Sequence, residues 1–421
     1  MTTSTQLDTH SLKDLRALAR LEGLAGYSRL KKEELVALLG QNQARKEGVS
    51  QGIGYLHTQR DGKGFLRSLR QSPSEHDPYV SPAQIKRFAL RSGDLIEGPV
   101  RQPKEGEKYR SLLQVTTVNG LDPEAAMNRP RFDTLTPVFP DQQYVLETKP
   151  HILGTRLIDL VSPIGRGQRG LIASPPKAGK TTLLKQIANG LTDNYKSLYV
   201  MVVLIGERPE DVTDMRRSIE ALVVSSTFDE PAEHHVAVAD LALAHAARLV
   251  ELNQDVVVLI DSLTRLTRAY NLVMAVPGRA VSSTLDPAAI QAAKRMFGLA
   301  RKLEGGGSLT ILATCQVETG GHLDELIYDE FRGTGNMDLR LDRSLAERRI
   351  YPAINIEQSG TRREELLLDS ATLQQVWTMR RMMDAIRAAQ PNAEPYLAIR
   401  DRLRRTRDNR EFLASLNHRE H

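Results

Sequence analysis

The stretch RGLIASPPKAGKTTLL, Arg169 to Leu184, constrains the fold of this chain more than any other. An apolar run, a turn of small residues and then Gly-Lys-Thr-Thr-Leu-Leu form the pattern of a buried strand that delivers the backbone to a tight loop and a helix. In such a turn, backbone N–H groups and the amino end of the helix hold an anion, a lysine adds charge and a hydroxyl reaches a magnesium ion. Arg169 to Ala173 reads as the strand, and Lys177, Ala178 and Gly179 as the turn. Lys180 reads as the cation, Thr181 as the magnesium hydroxyl and Thr182 onward as the helix. The pattern G-x-x-x-x-G-K-[ST] asks for glycine where this chain has Ser174, and two prolines come next. Serine serves there if the backbone does not need positive φ, and the prolines stiffen the loop.

The chain beyond the loop makes the nucleotide reading specific. From about residue 155 onward, apolar runs alternate with helical stretches; the runs RGLIAS, SLYVMVVLIGE, DVVVLID and SLTILATC read as strands of a parallel sheet covered on both faces. The third run ends in Asp261, an acid placed to hold magnesium through water. The second ends at Glu207, placed to orient an attacking water and so to give ATP hydrolysis as well as binding. A surface pair between Glu207 and Arg208 is the alternative reading of that acid.

Upstream the composition changes. Leucines at helical spacing from Ser11 to Leu39, broken at Gly23 to Ser28, predict two short helices, with Ser11 and Asp14 as a capping pair and Gly40 to Ser50 as a polar linker. Short apolar pieces between Gly, Pro and Asp turns over residues 52 to about 130 predict a small closed β barrel of the OB type. The expected architecture is therefore α/β: a helical domain over 1–48, a barrel over 51–130, a linker over 131–154 and a P-loop ATPase domain with a parallel sheet over 155–421. Barrels of this kind hold single-stranded nucleic acid with aromatic faces and cations. Phe65 beside Arg67, Tyr79 and Tyr109 supply candidates for both, with core aromatics as the competing reading. Seven basic and four acidic residues between Gln84 and Arg110 make a local surplus in a chain whose formal charge is only +5.

One cysteine, Cys315, excludes a disulfide framework and fits a reducing compartment. The amino terminus lacks the basic and apolar pattern of an export signal, and the longest apolar runs are too short to span a bilayer, so a cytoplasmic protein without a membrane partner is expected. His234 and His235 lack metal-ligand spacing. Trp377 with Met379, Met382 and Met383 reads as core, and RLRRTRDNR as a basic solvated helix face.

Taken together, SPIGRGQRGLIASPPKAGKTTLL, GERPEDVTDMRR, DSLTRLTRAYN, DEFRGTGNMDLRLDR and SGTRREELL resemble the bacterial transcription termination factor Rho family, over nearly the whole chain. The resemblance implies a homohexameric, RNA-dependent ATPase and 5′–3′ RNA–DNA helicase of the RecA and ATP-synthase type, which uses ATP and Mg2+ and acts on the RNA polymerase elongation complex. The family's own P-loop lacks the first glycine. Carried over residue by residue, Gly165, Arg166, Gly167, Gln168, Arg169 and Gly170 with Lys177 to Thr182 surround the nucleotide, and Arg208 touches it. Glu207 activates water and Asp261 assists magnesium. Arg362 is an arginine finger reaching a neighbouring subunit, and Arg265 joins that interface. Gly62, Lys63, Gly64, Phe65, Leu66 and Arg67, with Asp77, Pro78, Tyr79, Glu107, Lys108 and Tyr109, form the primary site for pyrimidine-rich single-stranded RNA. Loops matching Val276 to Thr284 and Val317 to Glu325 form a second RNA contact in a central pore, through Arg279, Ser282 and His322, with Gly278, Gly320 and Gly321 giving flexibility.

Two residues depart from the family pattern. Lys63 stands where an aromatic is common, which exchanges a stacking face for a charge and predicts weaker base preference with stronger salt dependence. His322 stands where lysine is usual, which predicts a pore contact that strengthens as imidazole becomes charged below about pH 6.5. Two other readings keep part of the pattern: a divergent RNA-stimulated ring ATPase of the same family with altered RNA preference, and an ATP-synthase-type export ATPase, which has no use for exposed barrel aromatics. A non-catalytic RNA-binding regulator would need neither Glu207 nor Arg362.

Overall fold

The computed structural model describes residues 10–21, 24, 26–27, 30–46, 48–59, 61–69, 74–274, 285–389 and 394–416. Two compact units divide the chain, Met1–Asn128 and Arg129–His421.

In the first unit, helices Leu12–Leu21 and Lys32–Lys46 pack through Leu15, Ala19, Leu35 and Leu39, the residues that helical spacing places on one face of each. Ser11 and Asp14 do form the capping contact, the Asp14 N–H donating to Ser11 Oγ at 3.3 Å. The second helix runs on through Lys46, past Gly40, where the polar composition predicts a linker. Arg, Lys and Gln are good helix formers, so polarity alone does not stop a helix.

Strand Val49–Thr58 then pairs antiparallel with both Gly64–Arg67 and Leu95–Arg101, which closes a barrel in the order Val49–Thr58, Gly64–Arg67, Tyr79–Val80, Ser111–Leu112, Leu95–Arg101 and back to the first strand. The Tyr79–Ser111 pairing is the parallel one, the others antiparallel. The alternation expected of a half-buried strand is plain in Leu95–Arg101, where Ile96, Gly98 and Val100 point inward against Leu56, Leu66, Val80 and Leu112.

The second unit is built on a nine-stranded sheet. Its main path runs Leu222–Thr227, Tyr199–Glu207, Asp255–Asp261, Ser308–Gln316, Arg169–Ser174, Met337–Arg340 and Gly360–Thr361, parallel except at the last pair. Off this path Arg301–Leu303 pairs antiparallel with Ser308–Gln316 and carries Pro137–Val138 on its other side. The four strands expected from apolar runs lie side by side at the centre. Helices cover both faces, so these strands show no alternation, and Ile172, Val202, Val257, Leu259 and Leu312 are essentially solvent-free. Burying each such side chain contributes about 1.5–3 kcal/mol, which makes the centre of the sheet a well-packed base for the strand ends.

Helices Ser370–Ala389, Pro395–Arg404 and Asn409–Ser415 close the domain. Met379 and Met383 are core residues and Met382 packs beside them, but Trp377 is not: it is 48% exposed and its Nε1 donates to Glu364 Oε1 at 3.0 Å. An indole keeps its N–H bonded by lying at the surface there. The wholly buried Arg156 ties these helices to helix Leu153–Val161, donating to the carbonyls of Leu403 and Thr406 at 2.9 Å each and pairing with Glu147 at 3.1 Å. Arg404, Arg405, Arg407 and Arg410 lie on an exposed surface, as the basic run predicts. Among the described residues, no helix is long and apolar enough to cross a membrane.

Candidate nucleotide and RNA sites

The parallel sheet brings the carboxyl ends of its central strands to one edge, and the chain puts its chemistry there. Strand Arg169–Ser174 leads into the turn, and helix Lys180–Asn194 leads out of it. Gly179 stands at the helix start with φ +90°, a conformation that only glycine adopts without strain, and Lys177 has φ +63°. Ser174 is still in the sheet, paired with Gln316, and is not among the residues of positive φ. The missing first glycine therefore removes nothing the loop needs. No side chain caps the helix, so its first-turn N–H groups face a cavity of about 780 Å³, within the usual size range for small-ligand sites.

Lys180 joins the two acids. Its Nζ lies 3.3 Å from Glu207 Oε1 and also bonds Asp261 Oδ1. Burial works to lower the ammonium pKa, but the two carboxylates outweigh it and hold Lys180 above its ordinary value. Asp261 is 2% exposed and fixed by a hydrogen bond from Thr314 Oγ1 at 2.8 Å. Glu207 faces Lys180 on one side and Arg265 Nη1, at 3.0 Å, on the other; Arg208 is exposed at the start of the next helix, so the surface-pair reading of Glu207 fails. Arg265 thus sits on the acid within its own chain, which the resemblance does not anticipate. Thr181, Asp261 and Glu207 offer hard oxygen donors of the kind magnesium takes. Among the described residues no group of three or more His, Cys, Asp or Glu side chains could hold a metal ion.

Gly165, Arg166, Gly167, Gln168, Arg169 and Gly170 do not line this cavity. They lie at the opposite end of strand Arg169–Ser174, five residue steps or about 17 Å away at the usual rise. Packing accounts for their glycines. A Cβ on Gly165 would meet Pro140 and Leu367 at 2.6 and 2.8 Å, and one on Gly167, φ +87°, would meet the Lys302 backbone at 2.1 Å. Arg166 pairs with Asp255 at 2.5 Å and stacks on Tyr144. Residues that motif reading misses take their place: His151, Gly154, Gln186, Leu341 and, above all, Tyr351 and Pro352 line the cavity. The Tyr351 ring stands on the open side of the loop, 42% exposed, 3.3 Å from where a Gly179 Cβ would be. It is about 170 residues from the loop in sequence, and only an aromatic beside a proline marks it.

Arg362 comes directly after edge strand Gly360–Thr361, is exposed and does not line the cavity. His322 is the exposed first residue of helix His322–Arg332, just after Gly320, φ +76°. Arg279 and Ser282, with Gly278, lie outside the described residues.

On the barrel, strand alternation sorts the predicted RNA residues. Leu66 is 2% exposed and points into the core, and Gly64 carries no side chain and lies where a Cβ would meet Leu56 and Ile85, so neither offers a ligand a side-chain contact. Phe65 and Arg67 point the other way. Phe65 meets Tyr109 edge-on at 5.0 Å and Tyr79 at 5.9 Å between ring centres, and none of the three belongs to the barrel core. Phe65 is itself buried, 8% exposed, beneath the half-buried Tyr79 and Tyr109, so the rings form a cluster set into the barrel surface, of the composition that stacks bases. Ion pairs rim it: Lys63–Asp61 and Lys108–Glu75 at 2.9 Å, Arg67–Asp77 at 3.8 Å, and Arg101–Glu107 at 2.6 Å. Hydrogen bonds from Arg101 and from the Lys104 N–H hold the Glu107 pKa at about 2, so Glu107 braces this loop as a carboxylate. Pro78 accepts from the Leu66 N–H at 2.8 Å, which fixes the segment carrying Asp77 and Tyr79.

A phosphate loop at the carboxyl edge of a parallel sheet, with lysine and two acids converging on it, and an OB barrel presenting rings and cations in the same chain define a RecA-like P-loop ATPase joined to a nucleic-acid-binding module. Residues 154–361 match the family model for the ATP synthase alpha/beta family nucleotide-binding domain, 52–124 that for the Rho termination factor RNA-binding domain, and 6–48 that for the Rho termination factor N-terminal domain. The chain is 52% identical over 413 residues to transcription termination factor Rho of Bacillus subtilis, covering 98% of this chain and 95% of that protein. It is 48% identical over 410 residues to transcription termination factor Rho of Thermotoga maritima, covering 97% and 95%. It belongs to the transcription termination factor Rho family. A type III secretion ATPase from pathogenic bacteria shares the fold alone, with a TM-score of 0.56 at 24% identity over 68% of this chain and 86% of that one. The match of residues 6–48 and 52–124 to Rho domains favours this family over an export ATPase.

Proposed function

We propose that this protein terminates transcription as a ring of six copies that hydrolyses ATP to move along nascent RNA, displacing the RNA polymerase elongation complex and unwinding RNA–DNA hybrids. The convergence of Lys180, Glu207 and Asp261 at the mouth of the loop carries the reading. Lys180 and the helix N–H groups hold the β- and γ-phosphates, while Tyr351 and Pro352 flank the base. Thr181, with Asp261 behind it, would hold a magnesium ion, which when bound neutralises phosphate charge as the terminal bond breaks. Glu207 orients the attacking water, and Arg265 sets the direction in which that carboxylate points. Arg362, exposed and not lining its own cavity, supplies charge to the phosphates of the neighbouring copy. Phe65, Tyr79 and Tyr109 load pyrimidine-rich single-stranded RNA, and Arg279, Ser282 and His322 grip it in the pore.

A hybrid-unwinding assay tests this. Protein, ATP and Mg2+ are expected to release the DNA strand from a hybrid whose RNA carries a 5′ single-stranded tail and not from one with a 3′ tail. Equal release from both, or release without ATP, would sink the directional reading.

A further inference from the structure

The turn that carries Arg362 is held at every residue around it. The Arg362 N–H donates to the Asn336 carbonyl at 2.9 Å, and Thr361 Oγ1 to the Pro163 carbonyl at 2.7 Å. Arg380 donates to the Ser359 carbonyl at 3.0 Å. On the far side the Glu364 carboxylate accepts from Trp377 Nε1 at 3.0 Å. Between them Arg363 adopts φ +60°, which a non-glycine residue keeps only where its surroundings impose it. Two groups engage its side chain: Glu365, whose carboxylate lies 3.6 Å from Nε and is half exposed, and Phe139, whose ring centre stands 4.6 Å from the guanidinium. Phe139 comes directly after strand Pro137–Val138, which is itself paired to Arg301–Leu303 at the edge of the main sheet. Yet Phe139 is 62% exposed, too far into solvent to be explained as core.

We infer that Phe139 is a positioning residue for Arg362: by stacking on Arg363 it fixes the left-handed turn and so aims the neighbouring arginine outward at the next copy's phosphates. This rests on the reading of Arg362 as a finger acting between copies. Because the stack only orients the finger, it acts on the step in which phosphate charge spreads and leaves ATP binding alone.

The test is steady-state ATP turnover by the full-length protein with saturating polycytidine, comparing Phe139→Ala, Phe139→Leu, Phe139→Tyr and Arg362→Ala. Loss of a partly exposed cation–π contact is expected to lower kcat about three- to tenfold in the Ala and Leu variants, with KM for ATP within about twofold of the unaltered protein. Tyr, which keeps the π face, is expected to restore kcat, and Leu, which keeps only apolar bulk, is not. Unaltered turnover in Phe139→Ala beside an inactive Arg362→Ala would overturn the positioning role alone, as would rescue by Leu equal to rescue by Tyr. Undiminished turnover in Arg362→Ala would overturn the finger reading and this inference with it.

Discussion

The nucleotide cradle and the barrel's ring cluster are both proposed to hold phosphate-bearing ligands, but they are made in opposite ways. In the cradle the charges are buried or partly buried, and each is fixed by a neighbour: Lys180 lies between Asp261 and Glu207, Asp261 is held by Thr314, and Glu207 is held by Arg265. On the barrel the cations Lys63 and Lys108 are half or more exposed and pair with comparably exposed acids. Exposed pairs of this kind are worth about 0–1 kcal/mol, so a phosphate displaces them readily. The first site is thus built for one geometry and the second for tolerance of many sequences. The largest effects of mutation should fall on catalysis and the smallest on RNA choice.

Arg362→Ala should break the contrast hardest. Turnover is expected to fall about 10³-fold or more while binding of oligocytidine, read by filter retention, stays unchanged. Lys180→Ala comes next, with about 10²–10³-fold less turnover and intact RNA binding. The rigidity of the cradle is probed by Arg156→Met, which leaves Glu147 and several carbonyls without their partner. It should cost about 3–5 kcal/mol in the ATPase domain, seen as a lower thermal midpoint, with the barrel's RNA affinity preserved. Phe65→Ala should weaken single-stranded RNA binding by about 1–3 kcal/mol and leave ATP affinity unaltered. Smallest of all, Lys63→Gln should reduce the slope of log K against log salt by about 0.7, measured by titration at several ionic strengths. An unchanged slope would mean that Asp61 keeps Lys63 away from phosphate.

Much of the cradle is legible in the sequence because its geometry is local: strand, turn and helix are contiguous, and a charged residue closing an apolar run marks a strand end, as Asp261 and Glu207 do. What escapes is set by distant pairing. Tyr351 reaches the loop only through tertiary folding, and Arg265 reaches Glu207 from the helix after strand Asp255–Asp261. The resemblance places Gly165 to Gly170 around the nucleotide, but strand direction carries them to the far end of the sheet, where close packing explains the glycines. On the barrel, composition shows which residues cluster but not which face they take. Register decides that, since one residue along the strand separates core-facing Leu66 from Phe65 and Arg67. Trp377 reads as core beside three methionines, yet its indole N–H finds Glu364 at the surface.

An energetic link between cradle and barrel is tested most directly by ATP turnover of the purified protein with and without polycytidine. Marked stimulation by the polymer, lost in Lys180→Ala and diminished in Phe65→Ala, is the expected result. A rate that is high and indifferent to RNA would contradict it, because the two sites would then have no energetic connection.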